Sequence, residues 1–257
     1  VDISDEQIED FGDKEYVLVR IIKELNVQFN TRKQLLLKTL YAYIANSSAL
    51  DDLDCFSMFG TNSFNMVWEK VCAEVLDNQL QKPIGGLRLP VPLAEQYHDM
   101  RYKKLIDLID KPQWSGTAPN GEPFVKQAED TLIPDLISIV NVDGHCQFII
   151  FDAKYYNIQL EHNKKLRGQP GIESITKQYL YQLVYQPFVD AHQIGTVKNC
   201  FLMPTEMSEI IEKGSVSLAM MKRLGLEDIQ VRLLPAKTVF THYLKNTKLD
   251  IQDLNLR

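Results

Sequence analysis

Apolar positions recur along this chain with two periods, and each change of period marks a part of the molecule. Val17, Ile21, Ile22 and Leu25 follow helical spacing, as do Leu36, Leu40, Tyr43 and Ile44. The pattern predicts helices from Asp5 to about Ala49, broken and recapped at NTRK, Asn30 to Lys33. NSSALDDLD, Asn46 to Asp54, reads as a boundary between an N-terminal helical arm, residues 1–58, and a main domain, residues 59–257. That domain opens on a helix whose apolar face is Phe64, Val67, Trp68, Val71, Val75 and Leu76, with Ser63 at its N-cap. Pro83 to Pro92 reads as a turn with a short strand at most, and the proline- and glycine-rich Asp110 to Phe124 as a loop.

Period two takes over in IPDLISIVNVDGHCQFIIFDAKYY, Ile133 to Tyr156, which predicts two strands. After the turn-rich RGQPG comes the amphipathic helix IESITKQYLYQLVYQPFVDAH. Strands are expected at Val197–Pro204 and Ile229–Pro235, with a helix-like segment around Met207 to Leu224 between them and a closing helix in AKTVFTHYLKN. This order predicts an α/β fold: a mixed sheet flanked by helices, with an antiparallel hairpin feeding a crossover helix.

Asp143-Gly144 is a strong hairpin signal, because a two-residue turn of this kind needs positive φ at both positions. Such a turn pairs Val142 with His145, Ile139 with Phe148, Ile137 with Ile150 and Asp135 with Asp152. Opposed residues share a face with Cβ atoms about 4.5–5.5 Å apart, and alternation puts Lys154 on that face too. Leu136, Val140, Ile149, Phe151 and Ala153 occupy the other face, so both faces are largely apolar and the hairpin is expected inside the sheet. Two opposed carboxylates repel unless a cation lies between them. Two readings stand at this point: the pair sits at a sheet end balanced by Lys154, or it holds a divalent metal, which favours hard oxygen ligands.

The overall charge of −6 gives no global basic footprint, so a nucleic-acid partner needs a local one. Lys154, Lys164, Lys165, Arg167 and Lys177 form such an excess against Glu161 and Glu173; a solvated loop is the plainer alternative. Cys55, Cys72, Cys146 and Cys200 have no zinc spacing and imply reduced, mostly buried thiols. His145, His162 and His192 show no metal spacing either, and no phosphate-binding glycine loop occurs. The sequence opens at Val1, which leaves room for a preceding segment. No charged-then-apolar leader is present and no apolar run nears the roughly 20 residues of a membrane span, so a cytoplasmic location is expected.

Pro134-Asp135 followed by Asp152-x-Lys154 at the end of the next apolar strand resembles the PD-(D/E)xK nuclease superfamily. FGTNSFNMVWEKV, FDAKYY, GQPGIESITKQYLYQLVY and NCFLMPTE, in that order, look more narrowly like the LlaJI-type restriction endonuclease family, related to the nuclease subunit of McrBC systems. The resemblance implies a restriction-endonuclease-like core and a Mg²⁺-dependent DNA endonuclease, with Mn²⁺ substituting, that leaves a 5′-phosphate and a 3′-hydroxyl. It implies metal ligation by Asp135, Asp152, the Ala153 carbonyl and Glu69, with Glu74 the competitor for the last place. Lys154 would meet the attacking water or a phosphate oxygen, and Gln178, or less well Gln182, would touch the metal shell or DNA. Lys164, Lys165, Arg167 and Lys177 would contact phosphates of double-stranded DNA. A McrB-like AAA+ NTPase would be a separate subunit, with residues 1–58 a natural contact for it. One such site cuts one strand, so double-strand cleavage implies two copies, as in a homodimer, or two strokes. A recombination or repair nuclease of the same superfamily, and a non-catalytic interaction subunit on that scaffold, are the alternatives.

Overall fold

A computed structural model describes residues 12–28, 31–46, 63–142 and 144–256. The chain divides into two compact units, Val1–Thr61 and Asn62–Arg257. In the first, α1 (Lys14–Val27) and α2 (Thr31–Asn46) form the expected helix pair. Asp13 caps α1 by accepting from the Tyr16 N–H at 2.7 Å, and Lys14 Nζ donates to the Ala45 carbonyl at 3.0 Å. Of the apolar positions that predicted these helices, Ile21 and Ile44 are buried, whereas Ile22, Leu36, Leu40 and Tyr43 are exposed. The expected start at Asp5, the boundary beyond Asn46 and Cys55 lie outside the described residues.

The second unit is built on a five-stranded mixed sheet of order β3-β4-β5-β7-β6. Its strands are β3 (Leu136–Val142), β4 (His145–Ala153), β5 (Thr196–Thr205), β6 (Ile211–Val216) and β7 (Ile229–Pro235). β3 and β4 are antiparallel, β4 runs parallel to β5 and β5 to β7, and β6 returns antiparallel to β7. The connection from β4 to β5 is α4 (Ile172–Ala191), as a parallel pair requires. α3 (Phe64–Val75) and α6 (Ala236–Leu244) cover the face of Leu136, Ile149, Phe151, Ala153, Cys200 and Leu202. Tyr181, Tyr185 and Phe188 of α4 cover the face of Ile137, Ile139, Phe148 and Ile150. Trp68 anchors α3: it is fully buried and its indole N–H donates to the Leu202 carbonyl at 3.2 Å. Burying an aromatic side chain of this kind stabilises the fold by about 1.5–3 kcal/mol.

Three expectations need correction. The segment expected as a loop at Asp110 to Phe124 contains β1 (Gln113–Thr117) and, with residues beyond it, β2 (Pro123–Gln127), a two-stranded ribbon apart from the main sheet. Asn120-Gly121 lies in its turn, and Phe124 packs across the strand over Gly116, which has no side chain to displace. The helix-like segment at Met207 to Leu224 is mostly β6, followed by the single turn α5 (Ala219–Lys222). Its apolar residues are too sparse to bury a helix, and hydrogen bonding to β7 satisfies its backbone instead. Finally, the hairpin is not interior in the hydrogen-bonding direction, because β3 is an edge strand. Its two faces are buried as expected, and its open edge is met by the turn after α3: Gln79 N–H donates to the Ile137 carbonyl at 2.7 Å, and its side-chain amide to the Ile139 carbonyl at 3.1 Å.

Candidate active site at the end of the β3–β4 hairpin

The register of the hairpin is the one the turn arithmetic gives: Val142 opposes His145, Ile139 opposes Phe148 and Ile137 opposes Ile150. Gly144 carries the positive φ, +82°, that the turn needs; Asp143 lies outside the described residues. The ladder stops at Leu136 and Phe151, so Asp135 and Asp152 are not a strand pair. Continuing the register would set Pro134 opposite Ala153, and proline has no N–H to offer. The Ala153 N–H instead donates to Asp135 Oδ2 at 2.9 Å. The proline ends the strand, and the carboxylate beside it takes over the backbone donor.

Asp152 and Lys154 flank Ala153. Asp152 is 6% exposed, and its Oδ1 forms an ion pair with the Lys154 ammonium. The backbone of Lys154 is fixed by its N–H, which donates to the Leu202 carbonyl at 2.9 Å. The same carbonyl receives the Trp68 indole, so one β5 oxygen positions both the lysine strand and the helix of Glu69.

Electrostatics tie these groups together. Burial first, then the Asp135 charge, push Asp152 up to about 7, against the lowering pull of Lys154. Burial also raises Glu69, with Asp135 adding to the rise and Lys154 and the Asn65 side chain opposing it. Burial alone would lower Lys154, but the Asp152 hydrogen bond, helped by the charges of Asp152, Asp135 and Glu69, carries it above its ordinary value. Three carboxylates and one ammonium therefore share a half-buried end of the sheet. Glu74 is not among them: it points toward Lys248, 4.0 Å away.

Among the described residues no group of three or more His, Cys, Asp or Glu side chains is already arranged around a metal position. The donor chemistry nevertheless fits a hard divalent cation. Among the described residues, the buried Asp152 Oδ1 meets no hydrogen-bond donor besides its ion-paired lysine, and mutual repulsion of the carboxylates is the strain that a cation relieves. The residues that would hold it are Asp135, Asp152 and Glu69, with the Ala153 carbonyl.

The remaining expected residues divide. Gln178 is fully buried beneath β4; its amide reaches the Ile150 carbonyl at 3.5 Å, and its Oε1 has no donor among the described residues. Gln182 accepts from the Asn199 amide at 2.6 Å and is committed to the core. Lys164 pairs with Glu161 at 2.7 Å and Lys177 with Glu173 at 2.5 Å. Lys165 and Arg167 are exposed on the same loop with no ion pair among the described residues. His192 is structural: its Nδ1 lies 2.7 Å from the Phe188 carbonyl, and its Nε2 accepts from the Ala94 N–H at 3.0 Å. Cys72 and Cys200 are buried free thiols and Cys146 is half-buried.

Two residues near the site are not among the expected ligands or contacts, although the resemblance places a tyrosine such as Tyr181 close to Gln178. Tyr181 donates to the Ile133 carbonyl at 2.9 Å, just before Pro134, and burial together with Asp135 and Asp152 holds its phenol well above the ordinary value. Asn78 bonds the backbone on the other side of Asp135. Their side chains act on main-chain groups, which leave no mark in an apolar pattern.

The family model for LlaJI restriction endonuclease matches residues 1–90 and 94–237. The chain is 30% identical over 237 residues to the "Type II restriction enzyme BsuMI component YdjA" of Bacillus subtilis (strain 168), which covers 91% of this chain and 44% of that protein. It thus spans less than half the length of that curated relative. No solved structure matches the chain. No helix among the described residues is long and apolar enough to cross a membrane.

Proposed function

The chain belongs to the LlaJI restriction endonuclease family, and from that premise we propose that it is the DNA-cutting component of a bacterial restriction system acting in the cytoplasm. The observation that carries this is the junction in which Asp135 bonds the backbone of Ala153, between Asp152 and the lysine paired to it. Asp135, Asp152 and Glu69 would hold Mg²⁺, or Mn²⁺ in its place, with the Ala153 carbonyl. When bound, the ion supplies charge neutralisation at the phosphoryl group and acidifies water beside it.

Lys154 orients the attacking water or a phosphate oxygen through its ammonium. That ammonium is held by the Asp152 carboxylate and would turn toward substrate if Asp152 were shared with a cation. Gln178 supports the carbonyl of Ile150, two residues before Asp152. Lys164, Lys165, Arg167 and Lys177 receive the backbone of double-stranded DNA, Lys165 and Arg167 first because neither has an ion pair among the described residues, whereas Glu161 and Glu173 hold the other two. The products are a 5′-phosphate and a 3′-hydroxyl.

The relative is named as a component of an enzyme, which supports partner subunits here as well. A McrB-like AAA+ NTPase is the partner we propose, with the helical N-terminal unit as its contact. Two copies of the nuclease, or two successive strokes, would complete a double-strand break. The test is cleavage of modified and unmodified duplexes with and without Mg²⁺ and a candidate NTPase. Cleavage that needs the metal and disappears in Lys154→Ala supports the reading. Full cleavage by folded Lys154→Ala removes the mechanism, and junction- or end-restricted cleavage transfers the protein to recombination or repair.

A further inference from the structure

We propose that Asn78 is a positioning residue that holds Asp135 against the Asp152 strand and ties it to the helix of Glu69; the role rests on the catalytic reading above. α3 ends at Val75, and Asp77 turns the chain with φ of +53°. The turn then lies along the open edge of β3. Asn78 Oδ1 accepts from the Ile137 N–H at 3.1 Å and from the Leu80 N–H at 3.0 Å, and its Nδ2 donates to the Asp135 carbonyl at 3.4 Å. Ser138 Oγ donates back to the Leu76 carbonyl at 2.6 Å.

These bonds satisfy a sheet edge, which alone would be structural. What singles out Asn78 is the state of Asp135. That residue follows a proline and precedes the first ladder pair, so no neighbouring strand fixes its backbone. Among the described residues its backbone is held by the Asn78 amide on its carbonyl, and its carboxylate by the Ala153 N–H and a hydrogen bond with Asp152. Because Asn78 also closes the turn that ends α3, it sets how Glu69 and Asp135 lie relative to each other. Groups that orient a ligating carboxylate in this way tune metal affinity without touching the metal.

Hydrogen exchange at the Ala153 amide reads the proposal, since that N–H donates to Asp135. Asn78→Ala and Asn78→Asp both remove the donor to the Asp135 carbonyl, and Asn78→Asp keeps the Oδ1 acceptor that the fold uses. Gln79→Leu removes an edge bond of the same kind, to Ile139, away from Asp135. The expected result is Ala153 exchange about tenfold faster than in wild type, relative to the rest of β4, in both Asn78 variants and unchanged in Gln79→Leu. Mn²⁺ affinity, followed by electron paramagnetic resonance, is expected to fall about tenfold in Asn78→Ala and to hold in Gln79→Leu.

Ala153 exchange that moves only in step with β4, or Asn78 and Gln79 variants that behave alike, overturns the positioning role. If Asn78→Ala loses protection throughout the sheet, exchange in Asn78→Asp decides. A wild-type chain that binds no Mn²⁺ sinks the metal reading instead, while the exchange comparison still decides whether Asn78 holds Asp135.

Discussion

The backbone N–H of Ala153 donates to the carboxylate of Asp135 at 2.9 Å, so the residue between Asp152 and Lys154 receives the acid of the neighbouring strand. This gives the spacing a physical reason. Side chains alternate along β4, so Asp152 and Lys154 flank the residue whose backbone faces β3. Pro134, opposite that residue, supplies no donor of its own, which leaves the Ala153 carbonyl without a backbone partner from that position. A carbonyl so placed is available beside two carboxylates.

Asp135→Asn keeps an oxygen acceptor for Ala153 while removing the charge. The fold is therefore expected to persist, and Asp152, relieved of its charged neighbour, is expected to titrate lower than about 7 in a carboxyl-carbon NMR titration. Cleavage is expected to fall on the order of 10²–10³-fold, the scale for losing one charge-stabilising group. An unchanged Asp152 titration would show that the two carboxylates do not interact.

Stability should depend on pH through Asp152 with a definite sign. Burial and Asp135 raise it from 3.8 to about 7, so between those values the folded protein keeps a proton that the unfolded chain has lost. The contribution of this group is full below the lower value, declines as pH rises and is gone above the upper one. Urea melts across that window should show a decline in wild type that flattens in Asp152→Asn. A divalent cation selects the ionised form, so Mn²⁺ should stabilise more above pH 7 than below it. Lys154 acts with the same sign at alkaline pH: its value is also raised, so its contribution is full below 10.5 and is lost as the pH rises through the raised value.

The sequence disclosed this site unevenly. The hairpin register was readable because a two-residue turn leaves one pairing that buries Ile137, Ile139, Phe148 and Ile150 together. Extending that register to Asp135 and Asp152 went one step too far, since a proline ends a ladder even where the side-chain alternation continues. Glu69 was separable from Glu74 only as a preference; in the fold, α3 aims them at different neighbours. The ribbon β1–β2 was missed for another reason. Its residues are nearly all exposed, with Trp114 70% accessible, so no buried face announces two strands, although Asn120-Gly121 was the same kind of turn signal as Asp143-Gly144. Asn78 acts on backbone atoms far away in sequence, which no local pattern records.

The four expected DNA-contacting cations should not be equivalent. Lys164 and Lys177 are already matched by Glu161 and Glu173, whose carboxylates are lowered by those same lysines. Lys165 and Arg167 are exposed, with no such partner among the described residues. Charge removal at Lys165 or Arg167 should reduce the slope of log affinity against log salt by about 1 each for duplex DNA, and by less at Lys164 or Lys177. Equal slopes for all four variants would contradict the ordering.

Gly168 sits at the closure of the loop that carries Lys164, Lys165 and Arg167. The loop between β4 and α4 is closed by the Gln159 N–H donating to the Arg167 carbonyl at 2.8 Å, with a weaker return bond at 3.4 Å. Gly168 follows with φ of +65°, and a Cβ there would lie 2.2 Å from the Asn157 carbonyl oxygen. That neighbour is backbone, so the loop itself has to open. Gly121 provides the comparison: its φ is +87°, but nothing lies within 4 Å of an added Cβ. Gly121→Ala should therefore cost only the left-handed strain of about 1–2 kcal/mol. Gly168→Ala should cost more than that, speed hydrogen exchange at the Gln159 amide, and weaken duplex binding at low salt toward the level of a Lys165/Arg167 double variant. The Asp152 titration should stay where it is, because the strands that carry the carboxylates do not depend on this closure. A Gly168→Ala protein with weakened binding and a shifted Asp152 would mean that loop and carboxylates form one unit; unchanged binding would mean that the loop does not meet DNA.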